Sequence, residues 1–222
     1  MTTLIIGDIH FPFHNAAALK QVVEKVREIK PQAVIQVGDL YDFYAFSKFP
    51  RSHNVKTPKQ EIEEGRAQAV EMWSSIAKVA PKTKKYQMLG NHDYRAVKRA
   101  LEAVPAFESV IDDWTKGMAT FPGVELVTDI EFMLDGVCYM HGFRSRLGDH
   151  ARYNQMNTVT GHSHQGGVVW DANAHGPYWE LNVGWLGNKD ERAFSYQAQK
   201  RINKTTLGFG LIDSLGPRFC AL

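Results

Sequence analysis

Five short polar segments, each directly after an apolar run, carry most of the side chains that could do chemistry. They are GDIH with Asp8 and His10, GDLYD with Asp39 and Asp42, GNHD with Asn91, His92 and Asp93, HG with His141, and GHSH with His162 and His164. Carboxylates mixed with neutral imidazoles suit Mn, Fe, Zn, Co or Ni better than the all-oxygen sites of Mg or Ca. One such pair alone is usually a solvated or structural pair. Because all five follow apolar runs, we interpret them together as one metal site.

The neighbours Asn91 and His92 need separate tasks if Asn91 is a metal ligand. Side chains that are adjacent on an extended chain point to opposite faces, so His92 would face a substrate instead of the ion. There its imidazole can protonate a leaving alkoxide, and Asp93 can orient or charge the ring. The alternative is that His92 only caps the following helix. The role of Asp42 is also left open, because Asp42 either orients a ligand or acts as a cap.

The elements that must position these segments are short apolar runs, which predict strands, and helical patterns between the early ones. The runs are TLIIG, AVIQVG, KYQMLG, VCYM and TVTG. Helices are predicted after Asn15, from the TPKQ capping box at 57–60, from about Tyr94 to before Pro105, and over about 106–118. Ligands of α/β sheets gather beyond the carboxyl ends of the strands, which is where all five segments lie.

The order of these elements predicts an α/β fold with two sheets. Strands alternate with helices in the first half, which indicates a largely parallel sheet, whereas the later segments look like strands with short connections. LDG at 134–136 is a candidate hairpin turn. We therefore expect two sheets packed face to face, with helices outside.

Length and composition fit one globular domain over residues 1–222. The chain is 44% hydrophobic and 23% charged, and its 222 residues can bury a substantial core. Its net charge of +2 is too small to argue by itself for nucleic acid or a membrane. Cys138 and Cys220 make no disulfide framework, which suits a reducing cytosol. Since no apolar run is long enough for a signal peptide or a membrane span, we expect a cytoplasmic location.

In this order, the motifs D-x-H, G-D-x-x-D, G-N-H-D, H and G-H-x-H resemble the calcineurin-like metallophosphoesterases. The resemblance implies a four-layer α/β/β/α sandwich of two mixed β-sheets flanked by helices. It also implies two divalent metal ions, with manganese as the first choice and iron, zinc, cobalt or nickel as alternatives. One ion would be held by Asp8, His10, Asp39 and His164. The other would be held by Asp39, Asn91, His141 and His162, so that Asp39 bridges the two. His92 and Asp93 would form the family's acid pair.

The implied reaction is hydrolysis of phosphomonoesters or phosphodiesters by a metal-bridging hydroxide, with His92 as general acid. A nuclease or cyclic-nucleotide phosphodiesterase of the same family is an alternative. A third is a non-catalytic scaffold, which is disfavoured because such scaffolds tend to lose ligands or the acid histidine. Phe43 and Tyr44 replace the Arg and Gly of the protein-phosphatase branch, which argues against protein substrates. His92 stands where the lipid-precursor hydrolase branch usually has the Arg of G-N-R-D, which argues against membership of that branch.

Basic residues next to the motifs are the candidate substrate contacts. Arg95 follows the acid pair, while Arg144 and Arg146 follow His141, so each could meet a phosphate. The expected partner is a phosphate-ester substrate, with a nucleotide or nucleic acid as one option and no membrane. The aromatic and basic segment 42–59 could form a platform for bases, but packing beneath its loop is the favoured interpretation. Inter-sheet or interface packing, and not a binding stripe, is likewise predicted for Trp170, Tyr178, Trp179 and Trp185. Three histidines, His14, His53 and His175, are left unassigned.

Overall fold

The computed structural model describes residues 2–48, 56–194 and 205–222. Its strands are β1 (Thr3–Ile6), β2 (Ala33–Gln36), β3 (Lys84–Met88), β4 (Glu125–Val127), β5 (Glu131–Leu134), β6 (Val137–Met140), β7 (Thr158–Thr160), β8 (Gly167–Asn173), β9 (Gly176–Asn182), β10 (Gly208–Asp213) and β11 (Gly216–Ala221). Its α-helices are α1 (Ala16–Ile29), α2 (Pro58–Val79), α3 (Arg95–Ala103), α4 (Glu108–Met118) and α5 (Asp149–Asn154). None of the described helices is both long and apolar enough to cross a membrane.

The helix ends follow the capping chemistry expected from the sequence. The Asn15 side chain accepts a hydrogen bond from the backbone N–H of Ala18, and α1 ends two residues before Pro31. Thr57 and Gln60 form the predicted capping box at the start of α2. The hairpin between β5 and β6 turns at Asp135 and Gly136, both with positive φ, as a tight two-residue turn requires.

The strands form two mixed sheets. The first has the order β11-β10-β1-β2-β3-β4, in which β1 to β4 are parallel and β10 and β11 are antiparallel. The second has the order β5-β6-β7-β9-β8, with β6, β7 and β9 parallel between two antiparallel edge strands. The strands of the later half therefore do not all join the second sheet, because β4, β10 and β11 extend the first.

Alternation of side chains along β1 explains how the layers pack. Leu4 and Ile6 point to one face and join a buried cluster with residues of α1 and α2. Ile5 points to the other face and joins a second cluster, between the sheets, with Tyr139 and Leu181. On the outer face of the second sheet, α5 packs against β7 and β9. The predicted sandwich of two mixed sheets flanked by helices is confirmed, and its fourth layer is one short helix.

The tryptophan and tyrosine positions agree with packing except at one residue. Trp179 belongs to the cluster between the sheets, Tyr178 is buried, and Trp185 packs with Phe194. Trp170 is 58% exposed, so it does not pack between the sheets, and of the two predictions only interface packing stays open for it. Its β8 is an edge strand, so its ring projects into solvent.

The three histidines left unassigned have different surroundings. His14 is half-buried against Phe11, and His175 is exposed. His53 lies outside the described residues.

Candidate metal centre

The five motif segments meet because they all leave the carboxyl ends of parallel strands. Three of them follow β1, β2 and β3 in the first sheet, and two follow β6 and β7 in the second. Backbone hydrogen bonds join neighbouring segments, from Asp8 N–H to Gly38 O at 3.1 Å and from Gly161 N–H to His141 O at 3.0 Å. The two sheets thus bring their ligand-bearing loops to one shared edge.

Asp8, His10 and His164 form the first group of donor atoms. The Nε2 atoms of His10 and His164 are 3.3 Å apart, and His164 Nε2 lies 3.2 Å from Asp8 Oδ1. All three residues are buried, and their donor atoms lie within 4.8 Å of one another. The backbone N–H of His162 donates to both carboxylate oxygens of Asp8, at 3.1 and 2.9 Å, which fixes the orientation of the carboxylate.

Asp39, Asn91, His141 and His162 form the second group. The amide oxygen of Asn91 lies 3.0 Å from His141 Nε2 and 2.7 Å from His162 Nδ1. Asp39 Oδ2 lies 3.3 Å from His141 Nε2. Donor atoms of Asp8, Asp39 and His141 are again within 4.8 Å of one another, so the two groups adjoin. The structure therefore brings all seven predicted metal ligands together.

The protonation of Asp39 and His10 suits a cation, whereas for His141 burial is outweighed by the nearby Asp39, which raises the pKa to about 9, so a bound cation would have to displace its proton. Burial disfavours ionised Asp39, but His141 and His92 hold its pKa well below the usual value. Burial and the nearby His92 lower the pKa of His10, which keeps its imidazole neutral. His141 Nδ1 lies 3.0 Å from Val37 O, so the other ring nitrogen, Nε2, faces the centre. Buried carboxylates beside converging imidazole nitrogens are the donor set of a divalent transition-metal site.

The backbone at the centre is strained and crowded. Five of the predicted ligands have φ between 50° and 65°, namely Asp8, His10, Asp39, His162 and His164. This left-handed region costs a non-glycine residue about 1 kcal/mol or more. Two glycines make room for the carboxylates: a Cβ at Gly90 would overlap Asp39 Oδ1, and one at Gly161 would overlap Asp8 Oδ2.

His92 lies beside the first group, and its ring centre is 4.6 Å from that of His10. His92 Nδ1 is 2.9 Å from Asp42 Oδ1, and His92 Nε2 is 2.9 Å from Arg95 Nη2. Burial lowers the pKa of His92, but the carboxylates of Asp39 and Asp42 outweigh it and raise the pKa overall. Asn91 and His92 do face different partners, as expected, but residues 91–94 form a turn and not an extended strand.

Asp93 does not contact His92, and the expectation that it orients this histidine is corrected. Its carboxylate accepts hydrogen bonds from the backbone N–H groups of Gly90 at 2.8 Å, Tyr41 at 3.0 Å and Leu40 at 3.3 Å. The turn directs Asp93 inward, where it ties two loops together. Burial and the nearby Asp39 raise the pKa of Asp93 to about 7.

Asp42 occupies the place that the sequence assigned to Asp93. Its Oδ1 atom lies 2.9 Å from His92 Nδ1 and 3.1 Å from His10 Nδ1, although the His10 contact lacks hydrogen-bond geometry. Burial opposes ionisation of Asp42, but His92, His10 and Arg95 lower its pKa. Of the two open interpretations, the orienting one fits, since Asp42 touches the predicted ligand His10 as well as His92.

Only one of the three predicted substrate-binding arginines lies at the candidate metal centre. Arg95 reaches the centre, where it contacts both Asp42 and His92. Arg144 instead stacks over the rings of Phe143 and Tyr153. Arg146 is exposed, and within the described ranges its side chain makes no hydrogen bond or ion pair with a predicted ligand.

The aromatic segment 42–59 packs in the part that the structure describes. Phe43 stacks on Tyr41, and Phe46 contacts Trp114. This supports the packing interpretation for those two rings. Phe49, Arg51 and His53 lie outside the described residues.

Two residues have supporting roles that the sequence does not predict, although His150, like the arginines after His141, is a candidate phosphate contact by its position in the chain. Asn182, at the end of β9, donates to Gly161 O at 2.6 Å and so supports the GHSH loop. His150 Nε2 accepts from the backbone N–H groups of Phe143 and Arg144 at 3.0 and 3.1 Å, which anchors the loop after His141. Asn182 lies 21 residues from Gly161, so no local motif could identify it, whereas His150 is only six and seven residues from its two backbone partners.

Comparison with known proteins agrees with this geometry. The Gene 54 protein of Mycobacterium phage D29 is 26% identical over 202 residues, which cover 83% of this chain and 79% of that protein. The Gene 54 protein of Mycobacterium phage L5 is 24% identical over 210 residues, with the same coverage. An archaeal phosphodiesterase matches the fold with a TM-score of 0.51 and 13% identity over 100% of both chains.

The family model of the calcineurin-like phosphoesterases matches residues 1–212. That range contains every predicted ligand and both sheets except the last strand. The chain therefore belongs to the calcineurin-like phosphoesterase family.

Proposed function

We propose that residues 1–222 form one metal-dependent phosphoesterase domain that hydrolyses phosphomonoesters or phosphodiesters. The observation that carries the proposal is the convergence of seven donor residues, five of them buried, beside a histidine that is held by a carboxylate. One ion would be held by Asp8, His10, Asp39 and His164. A second would be held by Asp39, Asn91, His141 and His162. Manganese is the first choice, and iron, zinc, cobalt or nickel fit the same donors.

The bound ions and the side chains around them would have different roles in the reaction. Bound divalent ions supply a nucleophile at neutral pH and neutralise charge on the phosphate. His92 acts as the general acid for the leaving oxygen, and Asp42 holds its ring through Nδ1. Asp39 and Asp42 favour the charged imidazole, whereas the Arg95 contact at Nε2 favours the neutral one. When substrate binds, Arg95 turns to the substrate phosphate. His92 Nε2 then loses its contact with Arg95 and can carry the proton.

The remaining parts of the proposal are the alternatives and the location. A nuclease or cyclic-nucleotide phosphodiesterase would use the same centre, and the retained ligands and His92 argue against a scaffold. A cytoplasmic location is part of the proposal and is supported by the two free cysteines, Cys138 and Cys220.

Metal analysis and hydrolysis assays test the proposal together. Purified protein with Mn²⁺ should carry two ions per chain and hydrolyse p-nitrophenyl phosphate or bis(p-nitrophenyl) phosphate. His92→Ala should keep both ions and lose about 10²–10⁴-fold in rate. Asp39→Asn should lose both ions and all activity. Fewer than one ion per chain without hydrolysis, across several metals, would favour the scaffold.

A further inference from the structure

A cavity of about 320 Å³ opens directly against the second group of predicted ligands. We call it the apolar cleft and define it by Leu89, Asn91, Ile130, Met140, His141 and Phe143. It lies where the loop after β3, the turn between β4 and β5 and the loop after β6 come together. Its volume is at the lower end of the range of about 300–1,000 Å³ that small-molecule pockets occupy.

The apolar cleft has a polar end and an apolar end. Asn91 and His141 present the polar end, and Leu89 and Met140 lie beside them. Tyr94, Lys98, Thr128 and Asp129 also line the cleft. Ile130 and Phe143 remain 80% and 59% exposed although they are large and apolar, which is unfavourable unless something covers them. The guanidinium carbon of Arg144 lies 5.2 Å from the centre of the Phe143 ring and supports it from outside. A phosphate ester with an apolar ring has the same division of polarity.

The position of the apolar cleft relative to His92 distinguishes two ester groups of a substrate. The His92 ring contacts His10, Asp42 and Arg95, none of which lines the cleft. A leaving group protonated by His92 would therefore lie beside His10. The apolar cleft, beside Asn91 and His141, would receive a different substituent of the same phosphorus. A phosphomonoester has no second substituent, whereas a phosphodiester has one.

We propose that the apolar cleft binds the aromatic group that stays on phosphorus when a phosphodiester is cleaved, so that the preferred substrate is an aryl or nucleoside diester. The inference rests on the proposed function. Water forms the new bond to phosphorus, the bond to the leaving oxygen breaks, and that oxygen takes a proton from His92. A proton of the water then restores His92, so a diester and water give a monoester and an alcohol.

Binding of two diesters that share a leaving group tests the cleft. The probes are bis(p-nitrophenyl) phosphate and ethyl p-nitrophenyl phosphate, titrated by calorimetry into the full chain carrying His92→Ala with Mn²⁺. The aryl diester should bind about tenfold more tightly, since one aromatic contact is worth about that much. Phe143→Ala and Ile130→Ser, each added to that chain, should remove most of the difference, and Phe143→Tyr should retain it.

The chain offers matched controls for both substitutions. Trp170 is 58% exposed and Leu215 is 81% exposed, and neither lines the apolar cleft. Trp170→Ala and Leu215→Ser should leave the affinity difference intact. The inference would be overturned by equal affinities for the two diesters or by failure to bind either one. It would also be overturned if the control variants lost as much of the affinity difference as the cleft variants.

Turnover separates this inference from the proposed function. In the chain with native His92, Phe143→Ala should lower kcat/KM for the aryl diester, relative to p-nitrophenyl phosphate, by about tenfold. An unchanged ratio would overturn the inference, because the cleft would then hold the leaving group of both substrates. An affinity difference without any hydrolysis would uphold the cleft and refute the phosphoesterase proposal.

Discussion

Replacing Asp42 and Asp93 separately by asparagine decides which carboxylate supports His92, the proposed general acid. Asp42 is buried, and its Oδ1 lies 2.9 Å from His92 Nδ1. An amide oxygen at the same place can still accept the Nδ1 proton, so Asp42→Asn removes the charge but keeps the hydrogen bond. Asp93→Asn leaves the surroundings of His92 intact, because Asp93 binds backbone N–H groups instead.

The expected size follows from the kind of hydrogen bond that is lost. A hydrogen bond to a charged group contributes about 1.5–3 kcal/mol and a neutral one about 0.5–1.5 kcal/mol. The difference of about 1–2 kcal/mol corresponds to about 5- to 30-fold in kcat. The loss of charge also lowers the pKa of His92. Since a general acid must be protonated, the basic limb of the pH–rate profile should move to lower pH.

Asp93→Asn should instead act on stability. The amide presents N–H groups to backbone N–H donors, and an unsatisfied buried donor costs about 1–3 kcal/mol. Profiles of kcat against pH and denaturant unfolding, measured for both variants, check the two expectations. The reasoning is refuted if Asp93→Asn shifts the basic limb while Asp42→Asn leaves it in place.

Two further predictions concern a close contact and a buried carboxylate. Gly161→Ala should abolish metal binding without removing a donor, because the added methyl group meets the Asp8 carboxylate. Gly117→Ala is the control, since the space around Gly117 is open. Metal binding by the Gly161→Ala variant, measured by metal analysis, would contradict this geometry. Burial raises the pKa of Glu61 to about 7, above its unfolded value, so the stability it contributes at low pH should be lost as pH rises from about 4.5 to 7. The denaturant midpoint of Glu61→Gln should therefore not fall over this pH range, whereas that of Glu63→Gln, a variant at an exposed neighbour, should still fall. The same pH dependence in both variants would count against assigning the loss of stability to Glu61.

Local chemistry explains what the sequence could predict. The caps at Asn15 and Thr57 and the hairpin at Asp135 depend on neighbours within a few residues, so their patterns are visible in the chain. The gathering of the ligands follows from a general property of parallel strands. Each segment ends a strand of one direction, so the segments meet at one edge whichever strand order the sheet takes.

The errors arose where contacts join distant parts of the chain. Asp93 was paired with His92 because they are adjacent, but a turn redirects it to the backbone of Tyr41. Asp42, 50 residues before His92, makes the contact instead. The antiparallel addition of β10 to β1 is a long-range pairing of the same kind, and no local pattern encodes it.

The left-handed backbone at five of the seven predicted ligands has a consequence for how such a chain would evolve. Glycine would adopt the backbone conformation of each of these positions at a lower cost than aspartate or histidine. A lineage that no longer bound metal could therefore gain stability by the same substitutions that erase the centre. Selection for folding alone would remove these side chains quickly. Their presence at strained positions is what the proposed metal centre would require.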